Sequence, residues 1–274
     1  MKTKSLLTIV FLFFCYANLF AQRPKAPFKV IYSNDTTNIS TCVSPFHQET
    51  DEPSLDMIRA TVDEVAGFGV DACLLQPGMG RVPWWPSKVL PMEQQNKWFK
   101  EHYGIEPKNG WHDLILAGND IVKTFIDQCH SRGMKAFISE RINDGHHLEY
   151  AERTPENWMV QDLCQFYVDN PQYRIGTNPD SWDQHVMNWI YPEVRQYIYS
   201  IIEELITNYD IDGFELDFLR HPSYFQLDKT TTRQRQTIMA EFVKSVRKLL
   251  DETAKPGQYR WLSVRIPDDI SKFD

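Results

Sequence analysis

Short apolar runs alternate with amphipathic segments along this chain, and that alternation limits the folds that it can adopt. The apolar runs have the length of buried strands and occupy residues 28–35, 70–78, 135–144, 213–218 and 260–267. Between them, apolar side chains recur every three or four residues, which predicts helices. Strands that alternate with helices pair in parallel through right-handed crossovers. The sequence therefore predicts an α/β fold.

Four helices are predicted between these strands from the residues at their ends. Ser54 is the expected N-cap of the first, Gly133 ends the second, and Pro192 stands in the first turn of the third. The fourth lies within residues 232–257, where apolar residues have helical spacing. Each helix follows one strand and precedes the next.

Two architectures share this order, a (β/α)8 TIM barrel and an open doubly wound sheet. No glycine-rich phosphate loop follows the first strand, and polar residues stand at several strand ends, which favours the barrel. An open α/β sheet is the alternative. Because five strands use almost the whole chain and a barrel needs eight, we expect residues 22–274 to be the amino-terminal part of a longer barrel.

Residues 1–21 have the layout of a secretory signal peptide. Lys2 and Lys4 precede the apolar run Leu6–Phe14, and Ala21 stands before the expected cleavage point. The run is too short to cross a bilayer, so we expect a secreted or periplasmic protein without a membrane anchor. Loss of the two lysines changes the net charge from −8 to about −10. That charge disfavours nucleic acid and anionic membrane as partners.

The remaining cysteines are Cys42, Cys73, Cys129 and Cys164, and no two of them form a C-x-x-C pair. Cys73 lies in an apolar run and Cys129 on the apolar side of a helix, so buried free thiols are expected there. A disulfide between Cys42 and Cys164 stays open. The spacing gives no support for zinc bound by thiolates, and no cofactor is implied.

The fourth predicted strand carries two acids on one face. Successive side chains of a strand point to opposite faces, so Glu215 and Asp217 lie side by side, about 7 Å apart. We expect both to point into the barrel, with Asp217 nearer the mouth. Their repulsion should raise the pKa of one of them and so provide a proton donor near neutral pH. A structural ion network with Arg141 or Arg220 is the alternative.

Barrel active sites form at the carboxyl ends of the strands, where this chain is rich in polar and aromatic residues. Arginine, asparagine and histidine suit hydrogen bonds to sugar hydroxyls, carboxylates or sulfates. Indoles either form platforms for sugar rings or pack inside a loop. Asn34, Asp35 and Arg265 either reach the mouth or form turns. The candidates for binding substrate are Gln76, Trp84, Trp85, Arg141, Asn143, Asp144, His146, His147, Arg220 and His221.

The motif "YDIDGFELDFLRHP", with "FISERINDGHH" before it, resembles the bacterial family-10-like glycosyl hydrolase barrels. The resemblance runs from about the first strand to the end of the chain. It implies a TIM barrel and the hydrolysis of carbohydrate, and it does not identify the sugar.

The same strand is also similar to the D-G-x-D-x-D-x-E motif of chitinase-type barrels. Asp212, Gly213, Glu215 and Asp217 match its first positions, but Leu219 stands where those enzymes have an acid. This departure argues against their substrate-assisted mechanism. α-Galactosidase-type barrels place an Asp nucleophile near the end of the fourth strand, a role that Asp217 could fill.

The sequence thus predicts an exported glycoside hydrolase that acts on a poly- or oligosaccharide. Asp217 is the expected nucleophile or acid, and Glu215 tunes it or shares its proton, because glycoside cleavage needs an acid and a second carboxylate. One alternative is a carbohydrate-binding barrel without activity. The other is a metal-dependent hydrolase, such as a deacetylase, that uses Asp144, His146, His147 and His221.

Overall fold

The structure is a computed structural model that describes residues 25–41, 52–178 and 180–268. The strands within these ranges are β1 (Ile31–Asp35), β2 (Ala72–Gln76), β3 (Gly78–Met79), β4 (Val82–Pro83), β5 (Lys135–Arg141), β6 (Gly213–Asp217) and β7 (Trp261–Arg265). The α-helices within them are α1 (Thr36–Thr41), α2 (Leu55–Asp63), α3 (Met92–Tyr103), α4 (Gly110–Leu116), α5 (Ile121–Ser131), α6 (Gln165–Asp169), α7 (Trp182–His185), α8 (Pro192–Asn208) and α9 (Thr232–Glu252). Short 3₁₀ helices occur at Leu148–Tyr150, Asn157–Gln161, Pro171–Tyr173 and Leu227–Lys229.

The main sheet has the strand order β1-β2-β5-β6-β7, and each neighbouring pair is parallel. This order follows the chain without reversal, whereas the order of a doubly wound sheet reverses at a switch point. A sheet that grows in one direction is the arrangement of a (β/α) barrel, and the predicted barrel topology is confirmed. Strands β3 and β4 form a separate antiparallel hairpin after β2, which was not predicted.

The inner face of the sheet curves until side chains near its two edges meet. The ring of Phe28, just before β1, lies 5.5 Å from that of Trp261 and 5.4 Å from that of Phe137. Arg265 Nη2 also donates a hydrogen bond to Ser33 Oγ at 2.8 Å. Among the described residues, β1 and β7 are not hydrogen-bonded to each other. The strands therefore form an arc of a barrel.

The predicted helices are present as α2, α5, α8 and α9, and local signals explain most of their ends. The Asp120 side chain caps α5 by accepting a backbone N–H at 2.9 Å. Thr231 and Gln234 form a capping box at the start of α9, and Pro192 begins α8. Ser54 precedes α2 but makes no capping hydrogen bond through its side chain.

The two faces of the sheet pack differently. Phe214 and Leu216 point outward into the large core shared with the helices. Phe137 points inward and covers Gly213, where an added Cβ would lie 2.2 Å from Phe137 Cε1. The neighbouring strand therefore requires glycine at position 213.

Several sequence predictions concern residues outside the described ranges. Residues 1–21 and Cys42 lie there, so the signal peptide stays a prediction. Cys164 is a buried free thiol, which does not support the disulfide to Cys42 that the sequence left open. Cys73 and Cys129 are buried free thiols, as expected. No helix in the part of the chain that the structure describes is long and apolar enough to cross a bilayer.

Candidate active site

Glu215 and Asp217 lie on the inner face of β6 and are 7% and 4% exposed. Glu215 Oε1 accepts a hydrogen bond from Ser139 Oγ of β5 at 3.0 Å. Asp217 Oδ1 accepts one from the backbone N–H of Leu219 at 2.9 Å. The predicted placement of the two acids on one inward face is confirmed.

Arg265 of β7 supplies the positive charge beside the acid pair. Its Nη2 lies 3.0 Å from Glu215 Oε1, and its Nη1 lies 3.7 Å from Asp217 Oδ2. The alternative of a structural ion network named Arg141 or Arg220 as the partner of the acids, whereas the structure has Arg265 there. Parallel register explains the difference, because Arg265 is the direct neighbour of Asp217 across the β6–β7 pair.

Burial raises the pKa of Glu215 above its ordinary value. The guanidinium of Arg265 and the hydrogen bond from Ser139 oppose that rise, and the negative charge of Asp217 adds to it. The predicted direction is confirmed for one acid of the pair. Its main cause, however, is the loss of water and not the repulsion between the acids.

Glu140 is a further buried acid, and it was not among the residues predicted for the site. It is the last residue but one of β5, on the face opposite Arg141, and lines a space beneath the β3–β4 hairpin with Gln76 and Arg81. Burial, reinforced by the charge of Asp144, raises the pKa of Glu140 to about 8. The only signal in the sequence was an acid at the end of an otherwise apolar strand.

An open cleft of about 730 Å³ lies at the carboxyl ends of β1 and β5. Among the residues that line it are four predicted binding residues, Arg141, His146, His147 and Arg220. The other polar or aromatic residues of its wall are Asp35, Thr37, Asn38, Thr41, Lys108, Asn109, Trp111, Asn157, Trp158 and Gln161. Neither acid of β6 is part of this wall, so the cleft adjoins the acid pair without enclosing it.

Asp144 and Arg220 fix the orientation of His146. Arg220 Nη2 lies 2.6 Å from His146 Nε2, and because a guanidinium only donates, this nitrogen is the acceptor. His146 Nδ1 therefore carries the proton and donates it to Asp144 Oδ1. Although burial opposes ionisation, the hydrogen bond from His146 and the nearby His221 hold the pKa of Asp144 well below its ordinary value.

Asp144, His146 and His221 also offer three ligand atoms that lie within 4.8 Å of one another. Oxygen and imidazole donors of this kind suit a divalent transition metal. His221 Nδ1 accepts the backbone N–H of Gly145 at 3.0 Å, so its hydrogen bond would have to break if that atom bound a metal. His147, the fourth residue expected in a metal site, lies apart, with Nε2 3.5 Å from Asp162 Oδ2.

Three residues near the cleft have left-handed backbone conformations. They are Arg81, His147 and His221, with φ of 68°, 54° and 53°, and they are the non-glycine residues with positive φ in the described ranges. Such conformations cost about 1–3 kcal/mol each and cluster at functional sites. Their presence together supports a functional role for this end of the barrel.

Trp84 and Trp85 do not form a sugar platform, because both are buried in the loop. Trp84 stacks on Trp111 at 5.8 Å, and its Nε1 donates to a backbone carbonyl. Trp85 Nε1 donates to Glu204 Oε2 at 2.9 Å. The half-buried indole in the cleft is instead Trp158, whose ring meets that of His147 edge-on at 4.9 Å.

Asn143 and Gln76 also lie away from the cleft, contrary to prediction. Asn143 accepts a hydrogen bond from Arg81 Nη2 at 2.6 Å and donates to the carbonyls of Met187 and Ser223 at 2.8 and 2.5 Å. Both of its amide hydrogens are therefore used within the protein. Gln76 donates to the carbonyl of Gly78 and so supports the hairpin.

Asp144 and His221 lie behind the wall of the cleft and contact His146. Asp144 is almost completely buried. The ring of His221 lies 5.1 Å from that of His146 and 5.9 Å from that of Trp182. Both residues can act on a bound molecule only through the position of His146, unless a metal ion binds between them.

Comparison with known proteins identifies one matching family, described as glycosyl hydrolase-like 10, over residues 84–266. Glycosyl hydrolase DigH of Escherichia coli (strain K12) is 25% identical over 169 residues, which are 57% of this chain and 32% of DigH. Alpha-amylase 1 of Lipomyces kononenkoae is 24% identical over 173 residues, 58% of this chain and 26% of that protein. The chain thus spans about a third or less of these relatives.

Among solved structures, alpha-L-fucosidase isoenzyme 2 from Paenibacillus thiaminolyticus aligns with a TM-score of 0.49 and 14% identity. The alignment covers 86% of this chain and 32% of the fucosidase.

Proposed function

The chain belongs to the glycosyl hydrolase-like 10 family, and from that premise we propose that it forms part of an exported glycoside hydrolase. Its substrate is a poly- or oligosaccharide, and cleavage takes place at the carboxyl ends of the barrel strands. The observation that carries the proposal is the buried pair of Glu215 and Asp217 on the inner face of β6. Export is proposed from the signal-like residues 1–21.

The two acids differ in environment, and this supports different roles. Burial raises the pKa of Glu215, so that it holds its proton closer to neutral pH than an exposed glutamate does. Asp217 ends β6 and lies nearer the mouth, which suits the nucleophile or the acid that contacts the sugar. A glycosidase needs a second catalytic carboxylate at a defined separation. Either Glu215 shares the proton with Asp217, or that partner comes from a later strand.

The test is the release of reducing ends from a panel of polysaccharides. We would express the protein with any coding sequence that follows Asp274, alongside Asp217→Asn and Glu215→Gln. The matched control is Asp127→Asn, an exposed helical aspartate that pairs with Lys123. We expect Asp217→Asn to lower the rate at least about a hundredfold and the control to leave it unchanged.

Equal rates for wild type and Asp217→Asn would show that this carboxylate is not catalytic. Binding of glycans without release of reducing ends would favour the carbohydrate-binding barrel. Circular dichroism of each variant separates loss of activity from loss of fold.

A metal-dependent hydrolase is the second candidate, because Asp144, His146 and His221 bring three ligand atoms within 4.8 Å. For this function, a chelator would abolish deacetylation of an acetylated oligosaccharide and Zn²⁺ would restore it. His221→Ala would prevent that restoration. Full activity in the chelator would exclude this function and leave the three residues the role of positioning His146.

A further inference from the structure

The cleft at the carboxyl ends of β1 and β5 is cationic, although the protein is acidic. Its wall contains Lys108, Arg141 and Arg220, and its one carboxylate is that of Asp35. The whole chain has a formal net charge of −8 at pH 7. A positive cleft of this kind concentrates anions locally, even when the net charge of the protein repels them.

Arg141 does not contribute free charge to the cleft. Its Nη2 lies 2.7 Å from Asp35 Oδ2, and its Nη1 lies 3.7 Å from Asp144 Oδ2. These carboxylates therefore neutralise Arg141. The positive charge that remains is that of Lys108 and Arg220.

Lys108 and Arg220 have no acidic partner within the described residues. No carboxylate oxygen there lies within 4.0 Å of Lys108 Nζ or of the guanidinium nitrogens of Arg220. Arg220 instead donates one hydrogen bond to the neutral ring of His146 at 2.6 Å. A guanidinium has five N–H donors arranged to bind a carboxylate or sulfate with two hydrogen bonds. Most of these donors stay available to a ligand.

The same wall holds an aromatic surface for a sugar ring. Trp158 is half-buried. Its ring meets that of His147 edge-on, and its Nε1 donates a hydrogen bond to Glu156 Oε2 at 2.8 Å. Pyranose rings pack on flat indole surfaces, while their substituents bind neighbouring polar groups. A neutral sugar would provide no counter-charge for Lys108 and Arg220.

From this arrangement we infer that the cleft binds an acidic sugar, whose carboxylate or sulfate contacts Arg220 and Lys108 while its ring contacts Trp158. The inference rests on the proposed function and names the substrate class of that function. The anion competes with His146 for the guanidinium of Arg220.

Binding is measured by titration calorimetry with the Asp217→Asn variant, so that hydrolysis does not interfere. One pair of probes is polygalacturonate and its neutral, carboxyl-reduced form. The other pair is dextran sulfate and dextran. We expect at least about tenfold tighter binding of one charged polymer than of its neutral partner, equivalent to about 1.4 kcal/mol. The pair that shows the difference identifies carboxylate or sulfate, and added salt should weaken that binding.

Charge-removing variants test the two residues separately. Arg220→Gln and Lys108→Gln should each weaken binding of the charged polymer about tenfold and change binding of the neutral polymer less than twofold. The controls are Arg153→Gln and Lys97→Gln, which remove exposed cations paired with Asp180 and Glu101. These controls should bind as the parent does.

Three results overturn the inference: unchanged affinity in both charge-removing variants, equal affinity for charged and neutral polymers, or no binding of any probe. Two further outcomes distinguish a failure of the acidic-sugar inference from a failure of the proposed hydrolase function. Tight binding of an acidic polymer without hydrolysis by wild type contradicts the hydrolase alone. Hydrolysis with no preference for charged polymers contradicts the acidic sugar alone.

Discussion

Arg265 Nη2 lies 3.0 Å from Glu215 Oε1, so β7 provides the counter-charge for the acids of β6. The same nitrogen donates to Ser33 Oγ of β1 at 2.8 Å. One side chain thus connects the two edge strands of the described sheet and sets the charge balance of the acid pair between them.

Replacement of Arg265 by Gln should raise the pKa of Glu215 further, because the guanidinium opposes the effect of burial. If Glu215 donates the proton to the leaving group, we expect kcat to fall about tenfold or more and the alkaline limb of the pH–rate profile to move to higher pH. The matched control is Arg59→Gln, which removes an exposed ion pair with Asp56. An unchanged profile would show that Arg265 has only a structural role.

Trp158 and Trp84 should respond differently to alanine. Loss of the Trp158 indole from the cleft should raise KM about threefold to tenfold and leave stability nearly unchanged, since an aromatic contact contributes about 0.5–1.5 kcal/mol. Trp84→Ala should lower the free energy of unfolding by about 3–5 kcal/mol, because it empties a buried site. Urea denaturation and steady-state kinetics measure the two effects. A large loss of stability in Trp158→Ala would remove the platform role.

The raised pKa of Glu140 predicts that the stability of the fold depends on pH. Its pKa is raised from 4.5 to about 8 in the folded protein. Between pH 4.5 and about 8, the Glu140 carboxyl holds a proton in the folded state that it has lost in the unfolded state. Its contribution to the free energy of unfolding is therefore fully present below pH 4.5 and is lost as the pH rises through about 8. From pH 6 to pH 8 this contribution decreases by on the order of 2 kcal/mol.

Urea denaturation at pH 6 and pH 8 measures this decrease. Glu140→Gln cannot ionise and should lose the corresponding part of the pH dependence. The exposed-site control Glu101→Gln should keep it. Parallel pH profiles for wild type and Glu140→Gln would show that Glu140 does not titrate in this range.

Asn143→Ala should destabilise the fold by about 2–4 kcal/mol. The change removes three hydrogen bonds and leaves the buried guanidinium of Arg81 without its Asn143 partner. Asn208→Ala, at an exposed helix end, should change stability by less than about 0.5 kcal/mol. Thermal unfolding checks both values. A small effect at Asn143 would return it to the candidates for binding substrate.

Local patterns were sufficient to predict the five strands of the main sheet, four of the helices and the inward acids, but not the β3–β4 hairpin. The alternation of Phe214, Glu215, Leu216 and Asp217 determines which side chains face the helices, and this needs only the period of a strand. The order of the strands followed from the alternation of strands with helices and the absence of a phosphate loop. These properties depend on residues close together in the chain.

Burial in the loops could not be predicted in the same way, because it depends on partners that are distant in sequence. Trp85 is buried because Glu204 of α8 accepts its hydrogen bond, and Asn143 is occupied by the carbonyls of Met187 and Ser223. No pattern near Trp85 or Asn143 indicates these contacts. Lys108 and Trp158 were missed for the same reason, since only the folded loops bring them to the cleft.

The strictly sequential order of the main sheet has a consequence for biosynthesis. Each later strand of the main sheet pairs with the main-sheet strand that precedes it in the chain, so synthesis adds strands to one growing edge. At every stage, the unpaired backbone groups belong to β1 and to the newest strand. Incomplete chains can associate through the unpaired backbone groups of these two edges, which makes them the places that a chaperone would protect.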